Sequence, residues 1–217
     1  VVLSRGLGDV YKRQKQARAA GKLFGIGMGA GVEPSGSNMA YVTLAQTAEE
    51  RKRAGGRSGG TAVASVTIDP TGAVSVNLDS TPAGQGHHTV AAQIVADILG
   101  LSPSKINVNT ALDTGTGGWS LASGNYSNRF SSIVITSLTR SGEKIAMKLR
   151  KIAANILEVA TEDIELVDGG ARVVGIPDTA IPIERVAAAA HWDPVSIPTD
   201  LEPGLSAVSY THLRAHE

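Results

Sequence analysis

Gly84-Gln85-Gly86-His87-His88-Thr89 stands directly before a stretch with helical apolar spacing, and a glycine- and serine-rich segment, Thr114 to Asn128, precedes a second such stretch. The start of a helix presents N–H groups without internal acceptors and about half a positive charge. A phosphate or another anionic group is therefore favoured there over a neutral ligand, and glycine lets the main chain come close. The glycines alone also fit a plain strand-to-helix turn. His87 and His88 are adjacent and diverge on a helix, so they suit a cap or a supporting role rather than a shared metal. Asp113, Asp163 and Glu165 lack a partner carboxylate at useful spacing and read as surface charges. Trp119 and Tyr126 are either substrate-facing aromatics or packing residues of the second loop.

These segments need elements to position them. Thr61 to Ile68 and Ala73 to Leu78 alternate, with Ala64, Val66, Ile68 and then Val74, Val76, Leu78 on one face each, and Asp69-Pro70-Thr71-Gly72 between them predicts a hairpin. Ala91, Ile94, Val95, Ile98 and Leu99 follow helical spacing that stops at Gly100, with Pro103 beyond it. Ile106 to Val108 reads as a short strand, which places the Gly84 to Thr89 turn at the end of a sheet strand. Ile145, Leu149, Ile152 and Ile156 trace one face of a helix that begins after Asn128, with Gly142 a weak point in it. Ile164 to Val167 and Ala171 to Val174 flank Asp168-Gly169-Gly170 as a second hairpin, and Ile183 to Ala190 reads as a short helix. Leu23 to Val32 alternates between glycines and is expected to form a strand, which Tyr41 to Leu44 could extend. The predicted fold is α/β (α+β), a mixed sheet with hairpins packed against two main helices.

Both termini resemble the translation of a transposase-type sequencing adapter. Asp9 to Gln14 is encodable by an oligonucleotide whose reverse complement translates as Val208-Ser209-Tyr210-Thr211-His212. Residues 1–14 and 207–217 are accordingly expected to be non-native tails, and 15–206 the natural part of a truncated gene fragment. A chain of this size could bury about 70% of its unfolded surface. The 42% hydrophobic content fits a globular protein, and no apolar run reaches the ~18 residues of a membrane helix. Net charge is zero, and the one dense charge run, Glu49 to Arg53, mixes signs. It reads as a solvated helix end, not a nucleic-acid surface. With no cysteine, disulfides, thiolate zinc sites and cysteine-held iron–sulfur clusters are excluded from this chain. Compartment is not legible.

Asp79 to Thr89, Ala92 to Asp97 and Ser104-Lys105-Ile106 together resemble the molybdopterin-binding large subunit of the xanthine dehydrogenase, aldehyde oxidase and carbon monoxide dehydrogenase family. Ala122 to Phe130 is similar to that family's second cofactor loop, most of all in bacterial members that act on carbon monoxide or N-heterocycles. The resemblance implies a fragment of a larger molybdopterin-binding fold. Its ligand would be a pyranopterin dithiolene carrying molybdenum, in bacterial members often extended by a cytidine nucleotide. Carried over by position, Gln85 would hydrogen-bond the oxo or dithiolene side of the metal centre, and Gly84 and Gly86 would let N–H groups approach. Thr89, Ser123, Gly124, Ser127, Asn128 and Arg129 would line the cofactor, and no residue here would ligate the metal directly. Asn128 and Arg129 stand where other members carry small or serine residues.

The same resemblance implies an oxidoreductase that hydroxylates an aldehyde, a purine or an N-heterocycle, with iron–sulfur and FAD centres in partner subunits or domains. The family's glutamate base, in a Gly-Glu-containing motif, has no counterpart after His191, and an upstream glycine-rich phenylalanine segment is also missing. The fragment alone is therefore expected to be inactive. A phosphate- or nucleotide-binding module and a non-catalytic scaffold domain are the alternatives from the residues themselves.

Overall fold

The computed structural model describes residues 3–25, 29–31, 45–54, 59–115, 118–119, 123–125 and 128–214. Two compact units divide the chain, Val1–Glu33 and Pro34–Glu217. The first carries helix α1, Leu3–Ala19, which runs across the expected boundary at residue 14. Of the strand expected at Leu23 to Val32, residues 23–25 and 29–31 form none. Glycine at 25, 29 and 31 offers no side chain to pack and weakens any strand, and Leu23 is fully exposed. The extension at Tyr41 to Leu44 lies outside the described residues.

The second unit opens on α2, Ala48–Ala54, the solvated helix expected from its mixed charges. Thr47 caps it, its Oγ accepting from the Glu50 N–H while Glu50 reaches back to the Thr47 N–H, a reciprocal capping box. β1, Gly59–Ile68, and β2, Val74–Leu78, pair antiparallel around the Asp69 turn. The Asp69 carboxylate accepts from the Thr71 and Ala73 N–H groups, which fixes that turn. The larger sheet has the order β3-β2-β1-β7, with β3, Ile106–Asn109, parallel to β2 and β7, Leu205–Arg214, antiparallel to β1. A second sheet, β4 (Ile164–Val167), β5 (Gly170–Val173) and β6 (Ile176–Pro182), is wholly antiparallel.

Helices α3, His87–Leu99, and α4, Ile135–Leu157, cover the inward face of the larger sheet. Ala62, Ala64, Val66 and Ile68 of β1 and Val74, Val76 and Leu78 of β2 are buried beneath them, which is the face that the alternation predicted. Leu138, Ile145, Leu149 and Ile152 form the buried side of α4. Gly142 is a close contact and not a break: a Cβ there would stand 3.0 Å from Ile98 Cδ1, so α3 and α4 approach closely. Helix α5, Ile183–Trp192, contributes Val186, Ala187 and Ala190 to the same core. No helix among the described residues is long and apolar enough to cross a membrane.

Candidate cofactor-binding site

β2 ends at Leu78, and the chain turns through Asp79 to Gly86 into α3. Gly84 (φ 103°) and Gly86 (φ 81°) lie in the left-handed region, which an L side chain rarely adopts, and a Cβ on either would meet open space within 4 Å. The backbone, not crowding, requires these glycines, and their outer side is free for a ligand. Gly86 caps α3 without any side-chain hydrogen bond, so the first N–H groups of the helix keep their donors available. Gln85 is exposed, and its carboxamide oxygen accepts from the Ala83 N–H at 2.6 Å, holding the turn.

The second segment returns to the same place. Ser80 Oγ donates to Gly124 O at 3.2 Å and stands 3.3 Å from His87 Nδ1. The His87 ring stacks on Phe130, centroid to centroid 3.9 Å with planes 6° apart. Phe130 opens a π turn, Phe130–Val134, that leads into α4. The starts of the two helices are therefore side by side, as the paired-segment reading expected. Asn128 is exposed, and its carbonyl accepts from Ser131 Oγ, Ser132 Oγ and the Ser132 N–H, so its main chain caps the second helix. Gly118 brings the intervening loop against β1, where a Cβ would meet Val63.

The predicted residues are not equivalent in the structure. Gly84, Gln85 and Gly86 on one segment and Ser123, Gly124 and Asn128 on the other are exposed or half-buried around this junction. Thr89 is exposed but lines a groove with Gln93, Ser104 and Val108, on the β3 side of α3. Arg129 is fully buried and its guanidinium is bound internally, to Asp79 and Thr61 O, so its side chain supports the loop from behind. Ser127 lies outside the described residues, as does Tyr126. Trp119 is 53% exposed.

The two histidines diverge as expected. His88 Nε2 stands 3.1 Å from Thr110 Oγ1 beyond β3, while Thr81 Oγ1 donates to Thr110 O. Among the described residues no cluster of three or more histidine or acidic groups could hold a metal ion. Burial, aided by the charge of His88, pushes the His87 pKa below its ordinary value. Burial pushes Asp79 up, against the opposing pull of Arg129. Sequence spacing does not single out Asp79, Ser80, Thr110 or Phe130, although Asp79-Ser80 opens the first motif and Phe130 closes the second. A separate cavity of about 1070 Å³ lies between the Thr71, Gly100 and Asp168 turns and includes none of the predicted residues.

The family model for a molybdopterin cofactor-binding domain matches residues 5–216. The chain belongs to that family. The nicotine 6-hydroxylase large subunit of Paenarthrobacter nicotinovorans is 36% identical over 198 residues, 89% of this chain and 22% of its own length. Quinoline 2-oxidoreductase from Pseudomonas putida 86 superposes with a TM-score of 0.70 at 28% identity, over 96% of this chain and 25% of that one. A Cu,Mo-CO dehydrogenase in a carbon monoxide-reduced state superposes with a TM-score of 0.60 at 29% identity, over 80% of this chain and 24% of that one. The chain thus spans about a quarter of the length of these relatives or less.

The donor set fits such a cofactor. Two adjacent helix starts without side-chain caps at α3, glycines open to solvent, and hydroxyl and amide groups at Ser123, Gln85 and Asn128 suit a pterin and its phosphate. The buried carboxylate of Asp79 is paired with Arg129, so it presents no free negative charge to an anion.

Proposed function

We propose that this chain is the part of a molybdenum hydroxylase large subunit that holds the phosphate and pterin end of molybdopterin between the starts of α3 and α4. The observation that carries this reading is the junction at Ser80, His87, Gly124 and Phe130, which brings two glycine-bearing helix starts together with their donors outward. The Gly84 and Gly86 main chain would lie against the ligand, with Gln85 turned toward the dithiolene side and Ser123, Gly124 and Asn128 opposite. Ser127 belongs to the same proposed lining, whereas Thr89 faces the groove with Gln93, Ser104 and Val108 and is left out of it. A cytidine-extended cofactor suits the two helix starts better than the short form, since it adds a second phosphate.

When bound, the molybdenum centre supplies the oxidative chemistry, and the protein's part is to hold and orient it. The substrate class is an aldehyde, a purine or an N-heterocycle, and the electrons leave to iron–sulfur and flavin centres on partner subunits or domains. In this proposal the chain's own part is to bind the cofactor, and turnover belongs to the whole subunit. Residues 1–14 and 207–217 remain, in this proposal, adapter-derived. In support, the inward positions of β7 from 209 onward carry Ser209 and Thr211, while Val208 (44%) and Tyr210 (71%) face out. That pattern, polar inward and apolar outward, is the reverse of the one on β1 and β2.

Titration of the full chain with molybdopterin released from a molybdenum hydroxylase, followed by pterin fluorescence, tests the reading. Binding that is lost in Gly86→Val supports it. Equal binding by Gly86→Val, or binding of cytidine diphosphate with none of the pterin, would replace it with a nucleotide-binding module.

A further inference from the structure

The loop that returns to the first glycine segment is fastened by one buried carboxylate. Arg129 Nη1 donates to Asp79 O at 3.1 Å, and Nη2 donates to Asp79 Oδ2 at 2.6 Å and to Thr61 O at 2.6 Å. Both side chains are fully buried. Ser123 Oγ donates to the same Oδ2 at 3.4 Å. Asp79 is itself placed by its N–H, which donates to Val63 O on β1 at 3.2 Å. One residue on, Ser80 Oγ holds Gly124 O. One end of the segment 123–129 is therefore tied to Asp79 and Ser80 and the other to Asp79, the residues from which the Gly84–Gly86 turn departs.

We propose that Asp79 and Arg129 are positioning residues, a buried clasp that sets the register of the second cofactor loop on the first. Apolar side chains of similar volume would stabilise this spot as well or better, because removing two charges from water costs much of what their attraction returns. What apolar residues lack is direction. A planar guanidinium with three acceptors at fixed angles admits one placement of the loop, whereas packed methyl groups admit several. The functional consequence rests on the cofactor reading above; the clasp itself does not.

The chain contains no cysteine, so a single introduced thiol reports on its own position. Asn125→Cys places one on the half-buried loop, and Ser137→Cys places one under α4, where the native side chain is fully buried. Labelling rates are compared in the native background, in Arg129→Met, and in the paired Asp79→Leu/Arg129→Met. The expected result is labelling at 125 faster by about tenfold or more in Arg129→Met, the ratio for losing one charge-assisted hydrogen bond from a local opening. Labelling at 137 changes only as far as global stability does. The paired variant folds, protects 137 like the native chain, and still labels fast at 125. Labelling at 125 no faster than labelling at 137 in Arg129→Met, an unchanged rate at 125, or native protection of 125 in the paired variant would each overturn the clasp. An opened loop with an unaltered molybdopterin titration counts against the cofactor reading and leaves the clasp standing.

Discussion

Helix α3 presents its first turn to the candidate site, so what anchors its last turn also fixes the site, and Gly100 is that anchor. Its φ of 66° is left-handed, and its N–H donates to Ala96 O. Its carbonyl accepts from the Gly169 N–H at 2.8 Å, joining α3 to the turn of the smaller sheet. A Cβ at this position would lie 2.4 Å from Leu166 O and 2.6 Å from Val167 Cα, both backbone atoms that cannot swing away. For Gly100→Ala, the left-handed conformation costs about 1–2 kcal/mol and the overlap about 1–3 kcal/mol. The stiffer unfolded chain returns about 0.4–1 kcal/mol. The net expectation is a loss centred on about 3 kcal/mol. Glu158 is the control, since it ends α4 in the same conformation, φ 54°, with an exposed non-glycine residue. Glu158→Gly should stabilise by about 0.5–1 kcal/mol, the strain relieved minus the entropy of the unfolded chain. Urea unfolding of the three chains measures both. If Gly100→Ala costs no more than about 1 kcal/mol, or Glu158→Gly destabilises, the backbone-contact argument at α3 is wrong.

Three further outcomes follow from the site and its sheet. Arg129→Met, which strands a buried carboxylate, should cost about 3–5 kcal/mol by urea unfolding, and most of it should return when Asp79→Leu is added. His87 has a depressed pKa in the folded chain, so below about pH 6.5 the unfolded chain takes the proton first. Its contribution is complete above that pH and is lost as pH falls toward the folded value. The melting temperature of the native chain should therefore drop more between pH 7 and pH 5 than that of His87→Phe, which keeps the stack on Phe130; parallel curves would refute this. Thr211 Oγ1 is buried and makes no hydrogen bond, so Thr211→Val should stabilise by about 1–3 kcal/mol, the cost of a buried unpaired hydroxyl.

The elements with one clear period were legible in the sequence. β1 and β2 show it in their alternation, α3 in its run to Gly100, and α4 in its stripe from Ile145. β6 was not, because Pro177, Asp178 and Pro182 interrupt its pattern. It exists as an outer strand of the smaller sheet, where a missing N–H is tolerated. At Leu23 to Val32 the alternation produces no strand over residues 23–25 and 29–31, because glycines 25, 29 and 31 have no side chain to pack. At the site, the glycine segments were visible because their chemistry is local. The Asp79–Arg129 pair was hidden because its members lie fifty positions apart in the chain and nothing near either one signals the other.

The placement of the second helix start follows from small residues far from it. Ser137 and Ser141 on α4 donate to Ala62 O and Ala64 O of β1 at 3.1 and 2.9 Å. Hydroxyl-bearing and alanine side chains at this crossing let helix and strand lie close and fix the height of α4 along the sheet. Carried straight back as an α-helix, α4 would turn each earlier residue by about 100°. The π turn at Phe130–Val134 inserts extra chain and changes that phase. The consequence is visible in two side chains: Phe130 meets the His87 ring, and Arg129 points into the sheet toward Asp79. The site therefore depends on an irregular turn that local helix preference would not select, held in place by a stack on one side and an ion pair on the other.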